Sequence, residues 1–435
     1  MFRFRRSIAV WLFACLAALP LLASAQDKGP LELDIVGGQA VALPIAVAPF
    51  GGTAAGGTDI AAIIRADLDR SGQFRAMSEA DIRAVSAPAA PPTQGAEVQF
   101  PAWRAAKQDF LVVGRVVDTG RVEYELFDVA RQQRLLGYAM TAQPGAERDL
   151  AHQIADAIYQ QILGVRGAFW TRMAYVTASG LGRNTSYTLV VADADGANPT
   201  TVVRSSQPLL SPAWSPDGSK LAYVSFESGN SAIYVQDLST GARQVVSAFR
   251  GINGAPSFSP DGRKLAMSLS KGGNPDIYVM DLATRALTRI TDQFGIDTEP
   301  TWSADGGSIY FTSDRGGRPQ IYQVPANGGG ATRITFQGSY NASPTVSADG
   351  KKIAVLQGAG NDYRVALLDR SLGSPQWSRL SPGPQDESPS FAPNGAMLLY
   401  AARGGVFVVS ADGRVRQRLV QGAREPAWGP FRTAR

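Results

Sequence analysis

The chain has 435 residues, 44% hydrophobic and 18% charged, with 46 Gly and 27 Pro. This is the composition of a globular protein rich in turns, and it excludes a disordered chain or a coiled coil. Of its 42 basic residues, Arg3, Arg5 and Arg6 lie at the extreme N-terminus, which leaves 39 against 37 acidic residues, so no phosphate-binding field and no nucleic-acid partner is implied.

Residues 1–25 have the pattern of a cleaved secretory signal: the three arginines, an apolar stretch from Ile8 to Leu22, and the small-residue site Ala23-Ser24-Ala25. The segment Leu12-Phe13-Ala14-Cys15 does not make a lipoprotein box, because Phe13 stands where a small residue is needed. Cys15 is the single cysteine, so a chain starting at Gln26 has no disulfide, thiolate nucleophile or cysteine metal site.

From Gln26 to about residue 165 the rhythm is that of a small α/β domain. Leu31, Leu33 and Ile35 alternate with Glu32 and Asp34, predicting a half-buried strand ended by Gly37-Gly38. Ile45–Ala48 predicts a second strand. The glycine loop Gly51–Gly57 lacks the lysine and the spacing of a phosphate cradle. A helix opened by Thr58 carries Ile60, Ile63, Ile64 and Leu68 on one face, with Gly72 after its end. A Pro/Ala-rich loop over Ser86–Gly95 leads to a helix around Trp103, then to strands at Phe110–Val117, Val122–Asp128 and Arg134–Thr141.

The last helix of the domain runs from about Ala146 to Leu163, with Gly164 stopping it. Its apolar stripe passes through Leu150, Ile154, Ile158 and Ile162, and the only histidine, His152, lies about 200° of rotation from Leu150, on the face expected to be solvated. Any Ser-His-Asp triad or zinc centre would have to use this imidazole, and neither G-x-S-x-G nor H-E-x-x-H accompanies it. No catalytic residue, metal or cofactor is expected.

Residues 166–435 repeat one phrase: PAWSPDG at 212–218, PSFSPDG at 256–262, PTWSADG at 300–306, PTVSADG at 344–350, PSFAPNG at 389–395 and PAWGP at 426–430. The spacings of 44, 44, 44, 45 and 37 residues are those of four-stranded propeller blades. In each phrase Pro presets one turn angle, Asp bonds the backbone and Gly accepts a positive φ, making a tight hairpin. There are six phrases and six following three-strand groups, but the first group, Met173–Val203, precedes every phrase and the last phrase has no group after it. Pairing these leftovers predicts a six-bladed ring closed by the C-terminal strand, with no open sheet edge. The residues at the third place of the phrase, Trp214, Phe258, Trp302, Phe391 and Trp428, with Val346 in the fourth, are expected to pack between blades rather than to form a ligand cage. Asp193-Ala194-Asp195-Gly196 starts like a calcium loop but lacks the remaining ligands, so a turn between strands is expected.

The repeats, the joint Gly164-Val165-Arg166-Gly167-Ala168-Phe169 running into Thr171–Val176, and a small α/β domain placed before the propeller together resemble the TolB family of the Tol-Pal envelope system. The resemblance spans nearly the whole chain after the signal. It implies a monomeric periplasmic scaffold without direct membrane insertion. Such a scaffold binds the peptidoglycan-associated lipoprotein (Pal) on the propeller and TolA, an inner-membrane-anchored protein, through its N-terminal segment, and supports outer-membrane integrity and constriction during cell division.

The segments just before each repeated proline are expected to join one blade to the next around one mouth of the channel. They supply the candidate lipoprotein-binding residues Ile252, Asn253, Ala255, Asp297, Thr298, Glu299, Asn341 and Ala342. The alternating N-terminal segment can pair within its own domain or add to another protein's sheet edge, and Gln26, Asp27, Leu31, Glu32, Leu33, Asp34, Ile35 and Val36 are the candidate TolA-binding residues. Two alternatives stand beside this reading. A propeller peptidase needs a further hydrolase domain with a nucleophile elbow, a propeller lyase needs channel histidines, and residues 166–435 contain no histidine. A propeller binding a small ligand would be recognised by the molecule it retains.

Overall fold

A computed structural model describes residues 42–433, apart from 119 and 372. The signal and the strand expected at Leu31–Ile35 lie outside the described residues. The first strand described, β1 (Leu43–Val47), is buried on both faces: Ile45 and Val47 face one apolar cluster, Ala46 the other. Helix α1 (Ile60–Arg70) buries Ile60, Ile64 and Leu68 in the first cluster. Its cap is Asp59, one residue later than Thr58, because the Asp59 carboxylate reaches the Ala62 amide at 2.9 Å.

Strand β2 (Phe74–Ala76) and helix α2 (Glu79–Ser86) follow, in a stretch whose weak apolar pattern predicts neither; α2 buries only Ile82 and is opened by Ser78. Helix α3 (Phe100–Ala105) buries Trp103 beside Ile82 on the far side of the sheet. Strands β3 (Phe110–Asp118), β4 (Arg121–Asp128) and β5 (Gln133–Thr141) complete the order β2-β1-β3-β4-β5, in which β2 and β3 run parallel to β1. Helix α4 (Glu147–Leu163) packs beside α1 on the first face and ends at Gly164, whose φ of 77° closes the helix.

The propeller begins with β6 (Arg172–Ser179), β7 (Ser186–Asp193) and β8 (Thr200–Ser205). Five four-stranded blades follow. They are β9 (Leu209–Trp214) to β12 (Arg243–Ser247), β13 (Asn253–Phe258) to β16 (Leu287–Arg289), β17 (Asp297–Trp302) to β20 (Thr332–Arg333), β21 (Asn341–Val346) to β24 (Gln376–Arg379), and β25 (Glu387–Phe391) to β28 (Arg416–Gln421). The last strand, β29 (Ala423–Trp428), returns to pair antiparallel with β6, giving the sixth sheet β29-β6-β7-β8. The ring is six-bladed and closed by its C-terminal strand, as the repeat arithmetic requires.

Blades stack because their middle strands are apolar on both faces. In the first full blade, Leu221 and Tyr223 pack toward the closing blade, and Ala222 and Val224 toward Leu265 and Met267 of the next. The phrase aromatics do pack between blades. The indole of Trp214 donates to the Ala427 carbonyl (3.1 Å) and that of Trp302 to the Ser257 carbonyl (3.0 Å), each on a neighbouring blade. Within the phrase, Ser215 donates to Asp217 (2.6 Å), Asp217 accepts from the Ser219 amide (3.0 Å), and Gly218 takes a φ of 69°.

The fifth phrase departs from Asp, and the structure supplies a reason. The Asn394 side chain still accepts from the Ala396 amide (3.0 Å), but its amide group also donates to the Arg166 carbonyl in the interdomain joint (3.0 Å), which a carboxylate cannot do. Other hairpins at the same end of the ring touch the α/β domain. Gln73 donates to Asp412 (2.8 Å), Gly72 lies so close to Ser410 that an added Cβ would stand 2.8 Å away, and the Arg148 guanidinium pairs with Asp195. The C-terminal Arg432 forks onto Asp149 (2.7 and 2.8 Å) above the Trp170 ring.

His152 corrects the sequence reading. It does point away from the Leu150 stripe, but that side of α4 faces the propeller instead of solvent, and His152 is 1% exposed. Its Nδ1 lies 2.6 Å from the Asp67 carboxylate of α1. Burial pushes the imidazolium pKa down, yet the Asp67 charge and hydrogen bond, helped by Asp195, outweigh this and leave it above the ordinary histidine value. Periodicity assigned α4 one buried face; wedged between α1 and the closing blade, it has two.

Candidate protein-binding face

The hairpins that carry the α/β domain lie where the inner strands end, so the inner strands begin at the opposite mouth of the channel. The segments before the repeated prolines prove to be the first residues of those inner strands, not the links between blades: β13, β17, β21 and β25 start at Asn253, Asp297, Asn341 and Glu387. The reason is a bulge. In every inner strand the register slips at the residue before the proline and the proline itself. That pre-proline residue, Ser211, Ala255, Glu299, Ser343, Ser388 or Glu425, takes a positive φ of 46–55°. A bulge of this kind re-aims a side chain while pairing resumes beyond it.

Two of the six carry carboxylates that reach across to the next blade. Glu299 accepts from the Ser343 amide (2.8 Å) and hydroxyl (2.5 Å) as well as from the Thr312 hydroxyl (2.7 Å). Glu425 accepts from the Ser211 amide (2.8 Å). Burial, together with repulsion from Glu387 and Glu299, pushes the Glu425 carboxyl above the usual carboxylate range.

The structure sorts the predicted contact residues by a fixed offset. Residues two before the bulge are buried and hold the loop behind them. Asn253 accepts from the Ser247 hydroxyl (2.6 Å) and the Phe249 amide (2.9 Å), and donates to the Phe249 carbonyl (2.7 Å). Asn341 donates to Gln337 and Gln320 (both 2.9 Å). Asp297 pairs with Arg315 (2.7 Å). These three and the buried Ala342 shape the mouth from beneath. Ala255, Thr298 and Glu299 are half-buried in its wall, and Ile252 is 50% exposed. The candidates at Gln26, Asp27 and Leu31–Val36 lie outside the described residues.

Residues that the repeat did not single out complete the face. Phe294 is fully exposed, Phe336 is 74% exposed, and Ile296 and Leu181 project from loops on the same side. The signal was present, since Phe249, Phe294 and Phe336 stand seven, six and eight residues before Pro256, Pro300 and Pro344. It was hidden because it sits in the loop, where the 44-residue phrase does not impose a fixed register. Apolar and aromatic side chains exposed beside a polar mouth are suited to protein recognition.

Residues 31–135 match the family described as the TolB amino-terminal domain, and residues 159–432 match the TolB beta propeller domain. The "Tol-Pal system protein TolB" of Xanthomonas campestris pv. campestris (strain B100) is 64% identical over 439 residues, covering 98% of both chains, and that of Xanthomonas euvesicatoria pv. vesicatoria (strain 85-10) is 65% identical with the same coverage. The crystal structure of TolB from Acinetobacter baumannii superposes with a TM-score of 0.81 at 43% identity, over 89% of this chain and 97% of that one. With both domains matched in order and relatives aligned from end to end, the chain belongs to the TolB family of Tol-Pal system proteins.

Proposed function

We propose that the chain is a periplasmic scaffold that takes the peptidoglycan-associated lipoprotein on the mouth of its propeller and TolA on its N-terminal segment, supporting outer-membrane integrity and envelope constriction during division. The observation that carries this reading is the arc of exposed apolar side chains, Ile252, Phe294 and Phe336, beside three consecutive bulged inner strands on the end of the propeller opposite the α/β domain. Membership in a non-enzymatic scaffold family sets aside the propeller-enzyme alternative. The secretory pattern of residues 1–25 supports export. Contact is assigned to Ile252, Ala255, Thr298 and Glu299, while Asn253, Asp297, Asn341 and Ala342 hold that surface in shape.

The test is affinity capture of the lipoprotein by the purified protein and by Ile252→Asp and Phe294→Ala variants. Loss of about 1–2 kcal/mol or more per variant, roughly tenfold in affinity, with an unchanged circular dichroism spectrum, is the expected result. Unchanged capture by both would remove the docking surface from the mouth. Deleting Gln26–Val36 should abolish TolA binding and leave lipoprotein capture intact; retained TolA binding contradicts the assignment of that segment.

A further inference from the structure

At the seam between α4 and the closing blade, three potential metal ligands meet: His152, Asp193 and Asp195, with one ligand atom of each within 4.8 Å of the others. His152 Nε2 is buried and has no hydrogen-bond partner among the described residues. It stands 3.8 Å from the nearer Asp195 oxygen, too far for a hydrogen bond. The opposite ring nitrogen is held at 2.6 Å by Asp67, which is itself buried and paired with Arg70. With Nδ1 turned to that carboxylate, Nε2 is the ring nitrogen that faces the two remaining acids.

We propose that His152 Nε2, Asp193 and Asp195 form a site for one divalent transition-metal ion of the zinc class, clipping the α/β domain to the propeller. One imidazole and two carboxylates are a normal zinc donor set, with ligand distances of about 2.0–2.2 Å, and a carboxylate on the far ring nitrogen is the usual support of a metal-binding histidine. Tetrahedral ligands at those distances stand about 3.4 Å apart, so His152 and Asp195 need to close by a few tenths of an ångström and Asp193, within 4.8 Å of both, by up to about 1.4 Å.

The local charges leave room for a cation. Asp67 is paired with Arg70 and Asp195 with Arg148, but among the described residues the Asp193 carboxylate is bonded by the side-chain amide of Asn198, at 2.7 Å, and by no cation. The turn carrying both acids is fixed by its own backbone, with Gly196 donating to the Asp193 carbonyl (2.8 Å) and Ala197 to the Asp195 side chain (3.0 Å). A cavity of about 410 Å³ reaches the cluster at Asp193, with Asn198, Arg148, Arg172 and Arg432 also in its lining. The rival occupant of Nε2 is a proton, which the Asp67 charge also favours.

The experiment uses untagged protein, because His152 is the only histidine and its ring nitrogens are then unambiguous in a ¹⁵N spectrum. Metal-stripped protein near neutral pH is titrated with Zn²⁺ by calorimetry and with Co²⁺ by visible absorption. Expected are one equivalent bound with Kd tighter than about 1 μM, a shift of the His152 Nε2 resonance on adding Zn²⁺, and a rise in thermal midpoint. Asp193→Asn should weaken binding at least tenfold, and Asp67→Asn about 10–100-fold. Absence of saturable binding, or undiminished binding by a folded Asp193→Asn, would overturn the site. So would an Nε2 resonance that stays protonated and does not respond to Zn²⁺, a readout on the unaltered protein that stands even where a variant fails to fold.

Discussion

The Glu299 carboxylate on β17 takes both the backbone N–H and the hydroxyl of Ser343 on β21, at 2.8 and 2.5 Å, and so ties two neighbouring blades together at the channel wall. The bulge at Glu299 is what aims it there. Replacing Glu299 with Ala takes the acceptor from the Ser343 and Thr312 hydroxyls and leaves the Ser343 amide only the Thr312 hydroxyl at 3.0 Å, and losing the partner of half-buried donors costs about 1–3 kcal/mol. Denaturant unfolding should show that loss for Glu299→Ala and a smaller one for Glu299→Gln, which keeps a carbonyl oxygen. Equal stability of Glu299→Ala and the parent would mean that the contact is not maintained in solution.

Asn394→Asp restores the residue found in the other turns of the repeat, yet it should destabilise. It removes the donor to the Arg166 carbonyl and sets a carboxylate against that oxygen. We expect a loss of about 1–3 kcal/mol, seen as a lower thermal midpoint. The converse change in an ordinary turn, Asp261→Asn, touches no interdomain contact and should cost less. A neutral or stabilising Asn394→Asp would contradict the explanation of the fifth phrase.

Trp428 closes the ring. Its amide donates to the Ser390 hydroxyl (2.9 Å), and its indole donates to Thr171 in the joint (2.8 Å). Trp428→Ala should cost about 3–5 kcal/mol, the usual range for a buried Trp, and should lower cooperativity if blades separate. Trp428→Phe keeps most of the ring volume and should cost less. Calorimetric unfolding of the two variants measures the difference.

Asp156 on α4 accepts from the Phe169 amide (2.8 Å) and, more weakly, from that of Trp170 (3.4 Å), pinning the joint. Burial pushes its carboxyl up to about 6, against those hydrogen bonds and Arg166, with Asp67 adding repulsion. A raised carboxyl binds its proton more tightly in the folded state, so its contribution favours folding at low pH and is lost as pH rises from the unfolded value toward about 6. Asp156→Asn removes this dependence. Its stability relative to the parent should rise by on the order of 3 kcal/mol across that window, and a flat difference in pH-dependent denaturation would rule out a raised carboxyl.

Much of this architecture was readable in advance because the propeller states each rule six times. One proline-turn phrase marks every inner strand, and the mismatch between the first group and the last phrase, Met173–Val203 against Pro426–Pro430, left a single way to close the ring. The α/β domain states each rule once, so β2 and α2, with only Phe74 and Ile82 buried, went unread. His152 was misread because helical periodicity reports that a face differs from the apolar stripe but not what lies opposite it. Asn253, Asp297 and Asn341 lie at one mouth of the channel, as their place before the proline implies, but beneath its surface, since the pre-proline bulge that separates supporting from exposed positions leaves no mark beyond the proline itself.

The pairing of β29 with β6 joins the two extremes of the propeller in one sheet. A chain emerging N-terminus first therefore holds an unzipped β6 edge until its last dozen or so residues arrive. Non-local pairing of this kind is slow to form and exposes strand edges while it waits, so the closing strand acts as a completion signal. Any product truncated before Ala423 leaves the β6 edge without its partner strand and open to adhesion.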